Sequence, residues 1–227
     1  MTFEGIQKFT LLDYPDHIAC TLFSPSCNLR CPYCHNADII SLSPDEGRIS
    51  EDDVFSFLKT RIGMIEGVCI SGGEPTLQKG LIDFIVRIKE MGFKVKLDTN
   101  GYNVKILCEI ADKKLVDYIA MDVKSSFSSY AKCVGCANID TSKIQQAIEI
   151  IKNSGIDYEF RTTLVRELHS DDDILFLASY MQNVLLWRMQ EFRRTSPLIS
   201  PPYTPIPSNY VKSLLYRYIN CNNFIFY

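Results

Sequence analysis

The chain has 227 residues, a length that suits one domain with a sizeable core. Hydrophobic residues make up 46% and charged residues 22%, and 24 Lys plus Arg against 27 Asp plus Glu leave a net charge of −3, which argues against a nucleic-acid binder. Apolar runs such as residues 184–187 fall far short of the roughly 18 residues a membrane span needs, and the N-terminus lacks the basic flank and apolar stretch of a secretory signal. A soluble, cytoplasmic protein is expected, with no membrane partner.

In chain order, short β-rich runs alternate with amphipathic helical stretches. Residues 17–24 read as the first strand. The helix over 50–61 opens with Ser50, Glu51, Asp52 and Asp53, an N-cap followed by an acid at the third helical position. Residues 67–71 form the second strand; the helix over 81–91 carries Leu81, Ile82, Ile85 and Ile88 and stops at Gly92. There follow a strand at 93–98, a helix at 103–113 and a strand at 116–122. A helix at 141–153 ends at Gly155 and leads to a strand at 158–164, a helix at 171–182 and a strand at 184–191. The Pro-rich stretch 197–207 breaks the alternation and leads a last helix over 209–219 around the sheet.

Six strands alternating with helices predict repeated βαβ units and a parallel sheet. Eight such units need roughly 250 residues to close a barrel. The expected fold is therefore α/β, an open, partial (β/α)6 barrel in one domain with a core at about 8–193 and a strap and helix at about 196–227. An open doubly wound sheet has the same pattern. In either, function belongs on the loops that leave the C-terminal ends of the strands.

Nine cysteines are the unusual number, and their odd count and uneven spacing point to free thiols in a reducing compartment. Cys27, Cys31 and Cys34 crowd together in C-x3-C-x2-C spacing directly after the first strand. Three thiolates can hold three corners of an iron–sulfur cubane and leave one iron open for chemistry. Zinc is the other metal reading, but His35 follows Cys34 too closely to close the same tetrahedron. Three buried thiols are the plain alternative. Cys20 and Cys69 read as small apolar strand residues, Cys108 and Cys221 are isolated, and the Cys133–Cys136 C-x2-C pair lacks two further ligands nearby.

The loop ending Cys34, His35, Asn36 resembles the cluster loop of the radical S-adenosylmethionine superfamily, and in particular of the activating enzymes of glycyl radical enzymes. Gly72, Gly73, Glu74 and Pro75, at the end of the second strand, match that superfamily's Gly-Gly-Glu-Pro motif. Residues 97–101, 120–124 and 159–163 extend the similarity over about 8–193. Within the family, the chain looks most like the activators of anaerobic ribonucleoside-triphosphate reductase.

The resemblance implies a [4Fe-4S] cluster whose open iron is chelated by S-adenosylmethionine. One electron, from a flavodoxin- or ferredoxin-type donor, then cleaves the sulfonium to a 5′-deoxyadenosyl radical, which takes a Cα hydrogen from a glycine of a partner enzyme. On this reading Gly72 and Gly73 let the backbone approach the methionyl part, and Glu74 meets its ammonium group. Tyr33 offers its backbone to the adenine, or simply packs. Asp98, Thr99 and Asp122 match a monovalent-cation site beside the methionyl carboxylate, although the two acids could equally cap loops. Arg161 would pair with that carboxylate and Lys124 would reach the same region. His35 would face the substrate peptide or orient the loop, and residues 190–196, with Arg193 and Arg194, would wall a lateral opening.

Other glycyl radical partners of the pyruvate formate-lyase type fit the same motifs. Two rival classes are a radical enzyme acting on a small molecule and a non-catalytic metal-binding redox sensor. The first would need an extra substrate-binding segment; the second has no use for a zwitterion pocket.

Overall fold

The computed structural model describes residues 1–41, 47–193, 203–218 and 224–226. Arg194, Cys221 and the Pro-rich stretch at 197–202 lie outside the described residues. In chain order the strands are β1 Thr2–Phe3, β2 Gly5–Thr10, β3 Ala19–Ser24, β4 Ile49–Ser50, β5 Gly67–Gly72, β6 Lys94–Thr99, β7 Tyr118–Asp122, β8 Asp157–Leu164, β9 Trp187–Glu191 and β10 Phe224–Phe226. The helices are α1 Ala37–Ser41, α2 Glu51–Lys59, α3 Leu81–Glu90, α4 Val104–Asp112, α5 Tyr130–Val134, α6 Thr141–Asn153, α7 Asp171–Tyr180 and α8 Ser208–Tyr218.

One sheet runs β10-β9-β8-β7-β6-β5-β3-β2. Every neighbouring pair in it is parallel except the β2–β3 hairpin. Edge strands β2 and β10 do not pair with each other, so the α/β barrel stays open. All six predicted strands are present. The sixth begins at Trp187 rather than at 184, because Val184 still belongs to the turn that follows α7.

Local sequence sets the helices. Ser50 and Asp53 form the reciprocal capping box at the start of α2, and Ser170 and Asp173 repeat it at α7. Gly92 and Gly155 take positive φ, 88° and 67°, just past the ends of α3 and α6. Each helix lays an apolar stripe on the outer face of the sheet, such as Ile85 and Ile88 of α3 and Ile144, Ile148 and Ile151 of α6. They meet the outward strand residues Val68, Ile70, Val95, Leu97 and Ile119, all fully buried. Each such side chain contributes about 1.5–3 kcal/mol by leaving water.

Alternate strand positions face the opposite way, and there the barrel is polar. Lys96 and Asp98 of β6, Asp122 of β7 and Glu159 and Arg161 of β8 project inward and pair with one another or with Arg188 of β9. Tyr14, 2% exposed, fills the N-terminal mouth beneath them. Its ring lies 6.1 Å from that of Tyr118, and a Cβ on Gly67 would come within 2.8 Å of it. The arrangement leaves one face for chemistry, at the C-terminal ends of the strands.

Candidate functional site

A cavity of about 350 Å³ opens at that face. Every predicted site residue lies on its wall: Cys27, Cys31, Tyr33, Cys34, His35, Gly72, Gly73, Glu74, Asp98, Thr99, Asp122, Lys124 and Arg161. The wall also includes Asn36, Ser71, Asn100 and Gln190, which the motifs do not single out as ligands.

The cysteine loop is held by its neighbours. Arg30 N–H donates to the Val134 carbonyl of α5 at 2.9 Å, and the Arg30 guanidinium bonds the Cys27 carbonyl at 2.6 Å. Burial pushes all three thiols up, Cys31 to about 12, while the Lys124 ammonium pulls each of them down. The Asn100 amide points at the Cys27 sulfur from 3.8 Å. Among the described residues the buried Tyr33 hydroxyl has no hydrogen-bond partner.

The two glycines are required by the loop itself. Gly73 N–H donates to the Ser24 carbonyl at 2.9 Å and Glu74 N–H to the Ser26 carbonyl at 2.8 Å. A Cβ at Gly72, whose φ is 109°, would sit 2.6 Å from the Ser24 oxygen, and one at Gly73 would overlap the Ser26 carbonyl. Asn36 completes the seam by donating to the Gly72 carbonyl at 3.0 Å. The sequence reading credits these glycines to ligand approach. The structure supplies a second reason: two strand-end loops meet backbone to backbone.

Glu74 is 1% exposed, and its carboxylate is occupied within the protein. Thr99 Oγ1 and Asn100 N–H each donate to it at 2.7 Å, and Thr76 donates through both its N–H and its hydroxyl. Burial raises its pKa and these four donors oppose the rise. Glu74 thus ties the glycine turn to the end of β6, where the sequence reading has it meet an ammonium group.

At the cavity floor the charges form one array. Arg161 Nε holds Asp122 Oδ1 at 2.9 Å and its Nη1 holds Asp98 Oδ2 at 3.3 Å. Lys124 Nζ takes Asp122 Oδ2 at 2.8 Å, Lys96 Nζ takes Asp98 Oδ1, and Ser71 Oγ donates to Asp98 Oδ2 at 3.0 Å. Both carboxyls are held below their ordinary range: burial opposes this, and Arg161 with Lys96 or Lys124 outweighs it. Three cations thus pair with two carboxylates, and Asp13 and Glu74 are further acids on the same cavity wall. At the expected monovalent-cation site, Asp98 pairs with Lys96 and Arg161, Asp122 pairs with Lys124 and Arg161, and Thr99 Oγ1 donates to Glu74.

His35 stacks on Phe192, just after β9, with ring centroids 5.8 Å apart and planes at 21°. Burial, with Lys124 nearby, lowers its pKa, so the imidazole is neutral near pH 7. Of the predicted wall at 190–196, Gln190 lines the cavity, Arg193 is exposed and touches His35 through its backbone, and 194–196 lie outside the described residues. Cys133 is buried 3.8 Å from His169 Nε2, which bonds the Lys124 carbonyl at 2.8 Å.

The sequence profile of the radical SAM superfamily matches residues 21–178. A Methanocaldococcus jannaschii protein bearing the name glycyl-radical enzyme activating enzyme is 35% identical over 193 residues, 83% of this chain and 79% of that one. The pyruvate formate-lyase-activating enzyme of Clostridium pasteurianum is 29% identical, covering 80% of this chain and 76% of its own. In fold, the chain is similar to a radical SAM methyltransferase from Sphaerobacter thermophilus, with TM-score 0.67, 15% identity and coverage of 94% and 67%. It is also similar to Streptococcus suis SuiB bound to S-adenosylmethionine, with TM-score 0.68 and 14% identity, where it covers 91% of itself and about half, 51%, of the other chain.

The residues fit the cofactors of that family. Among the described residues no three His, Cys, Asp or Glu side chains converge on one ion-sized point, as mononuclear zinc demands. A cubane makes no such demand, since each of its three thiolates takes a different iron. Three thiols lining one cavity together with Arg161 and Lys124 suit a [4Fe-4S] cluster and a ligand bearing a carboxylate. The chain belongs to the radical SAM superfamily, among the glycyl-radical enzyme activating enzymes that work with a [4Fe-4S] cluster and S-adenosylmethionine.

Proposed function

We propose that the chain activates an anaerobic ribonucleoside-triphosphate reductase by removing a hydrogen atom from the Cα of one glycine. When bound, the cluster and S-adenosylmethionine supply the low-potential electron and the 5′-deoxyadenosyl radical. Cys27, Cys31 and Cys34 hold the cluster as thiolates. Arg161 and Lys124 receive the methionyl carboxylate through charge-assisted hydrogen bonds. Glu74 keeps the glycine turn and the end of β6 in register, and so positions the ligand without spending its own charge on it. His35 and Phe192 line the peptide's approach and keep water from the reacting carbon.

The observation that carries this reading is the one cavity that the three thiols, Arg161 and Lys124 line together. The choice of reductase follows the motif likeness. A pyruvate formate-lyase type of partner is the second reading, supported by the clostridial relative at 29% identity. A flavodoxin- or ferredoxin-type protein is the proposed electron donor.

The test is anaerobic reconstitution with iron and sulfide, followed by assay of 5′-deoxyadenosine and of the glycyl radical on each candidate partner. Release of 5′-deoxyadenosine with a glycyl doublet on the reductase supports the proposal; a doublet on pyruvate formate-lyase alone moves the assignment there. Cys31→Ala is expected to lose the brown absorbance near ~400 nm that thiolate-ligated clusters show. Full iron content in that variant would remove Cys31 from the cluster.

A further inference from the structure

Lys96 is a charged side chain in an unusual place. It is 1% exposed, it stands on the inner face of β6, and it lies below the cavity wall. A lysine this deep is rare without a dedicated partner. Its ammonium donates to Asp98 Oδ1, lies 3.8 Å from Cys69 Sγ, and sits 6.0 Å from the centre of the Tyr118 ring. Asp98 keeps it charged in spite of burial.

That ammonium stands where a small cation would otherwise be needed. Asp98 offers Oδ1 to Lys96 and Oδ2 to Ser71 and Arg161; Asp122 offers Oδ1 to Arg161 and Oδ2 to Lys124. Thr99 Oγ1 is shared between Glu74 and Gly101 N–H. Every carboxylate oxygen of the pair thus already accepts from a cationic side chain of the protein.

We propose that Lys96 is a built-in substitute for a monovalent cation: it neutralises Asp98 from below, which frees Arg161 and Lys124 to receive the methionyl carboxylate without Na⁺ or K⁺. The inference rests on the carboxylate placement proposed above. Lys96 touches neither ligand nor cluster, so it is a positioning residue, acting through Asp98 and Arg161. Without it, Asp98 would draw the Arg161 guanidinium toward itself.

The experiment is calorimetric titration of S-adenosylmethionine into the anaerobically reconstituted enzyme. Buffers containing Na⁺, K⁺ or tetraethylammonium are compared at equal ionic strength. The wild type is expected to bind with the same affinity in all three, within about twofold. Lys96→Ala is expected to bind about tenfold more weakly in tetraethylammonium, and to regain most of that loss with K⁺ or methylammonium, which enter the vacated space. Wild-type affinity that rises with Na⁺ or K⁺ overturns the proposal, as does an equal loss for Lys96→Ala in every buffer. Should Lys96→Ala not fold, Lys96→Met replaces it, and the wild-type series still decides. Failure of the carboxylate placement looks different, since Arg161→Ala would then bind as the wild type does in every buffer.

Discussion

Gly73 and Ser26 meet with no room for a side chain between them: a Cβ on Gly73 would overlap the Ser26 carbonyl, the same carbonyl that accepts the Glu74 N–H at 2.8 Å. Ser26 itself is held at φ 63°, in the left-handed region, so the chain bends there under strain as it turns toward the cysteines. The cluster loop and the glycine turn are one mechanical unit.

Gly73→Ala should therefore be costly, because two backbones, and no flexible side chain, must part. A loss of about 1–3 kcal/mol is expected, with iron retention falling alongside stability. Gly92→Ala is the comparison, since a Cβ there meets nothing within 4 Å and only its φ of 88° is strained. About 1 kcal/mol is expected for it, with iron content unchanged. Urea unfolding and iron analysis of both variants check this. Equal iron loss in the two would mean that strain, and not contact with Ser26, governs the loop.

The floor carboxylates set an acid limit on stability. Asp98 and Asp122 have folded pKa values depressed below the ordinary 3.8, so their contribution is complete above that value and is lost as pH falls through the folded values. Unfolding free energy should fall as the medium is taken below about pH 4. Asp122→Asn should be weaker at pH 7 by on the order of 2 kcal/mol, since Arg161 and Lys124 lose a shared partner, and its stability should decline less steeply in acid. Urea titrations at a series of pH values measure both; an unchanged acid slope would place the acid sensitivity elsewhere.

His35→Ala separates ligand handling from peptide handling. The imidazole stacks on Phe192, just past β9. The variant is expected to keep its cluster and its affinity for S-adenosylmethionine, and to give a glycyl radical yield reduced about tenfold or more. Electron paramagnetic resonance of the partner reads the yield. An undiminished doublet would mean that the ring only orients the loop.

Much of this architecture is legible in the sequence where local rules act alone. The Ser50–Asp53 capping box and the helix Thr141–Asn153 stand where capping and periodicity put them. The hairpin strand Gly5–Thr10 is not legible, because its exposed Gln7, Lys8 and Phe9 break the alternation that marks a half-buried strand. Helices Ala37–Ser41 and Tyr130–Val134 are too short for a periodic signal. At the site, motifs locate the wall residues but not their partners. Lys94, Lys96 and Asp98 alternate like the wet face of a strand, and only barrel curvature turns Lys96 into an interior charge. Glu74 looks like a free anion until Thr76, Thr99 and Asn100 are seen to surround it.

Tyr14 plugs the end of the barrel away from the cysteines. The lumen is closed at that end, so the cavity is reached from the C-terminal ends of the strands. On the proposed function, a peptide docked beside His35 would cover the cavity, and the small ligand would enter ahead of it.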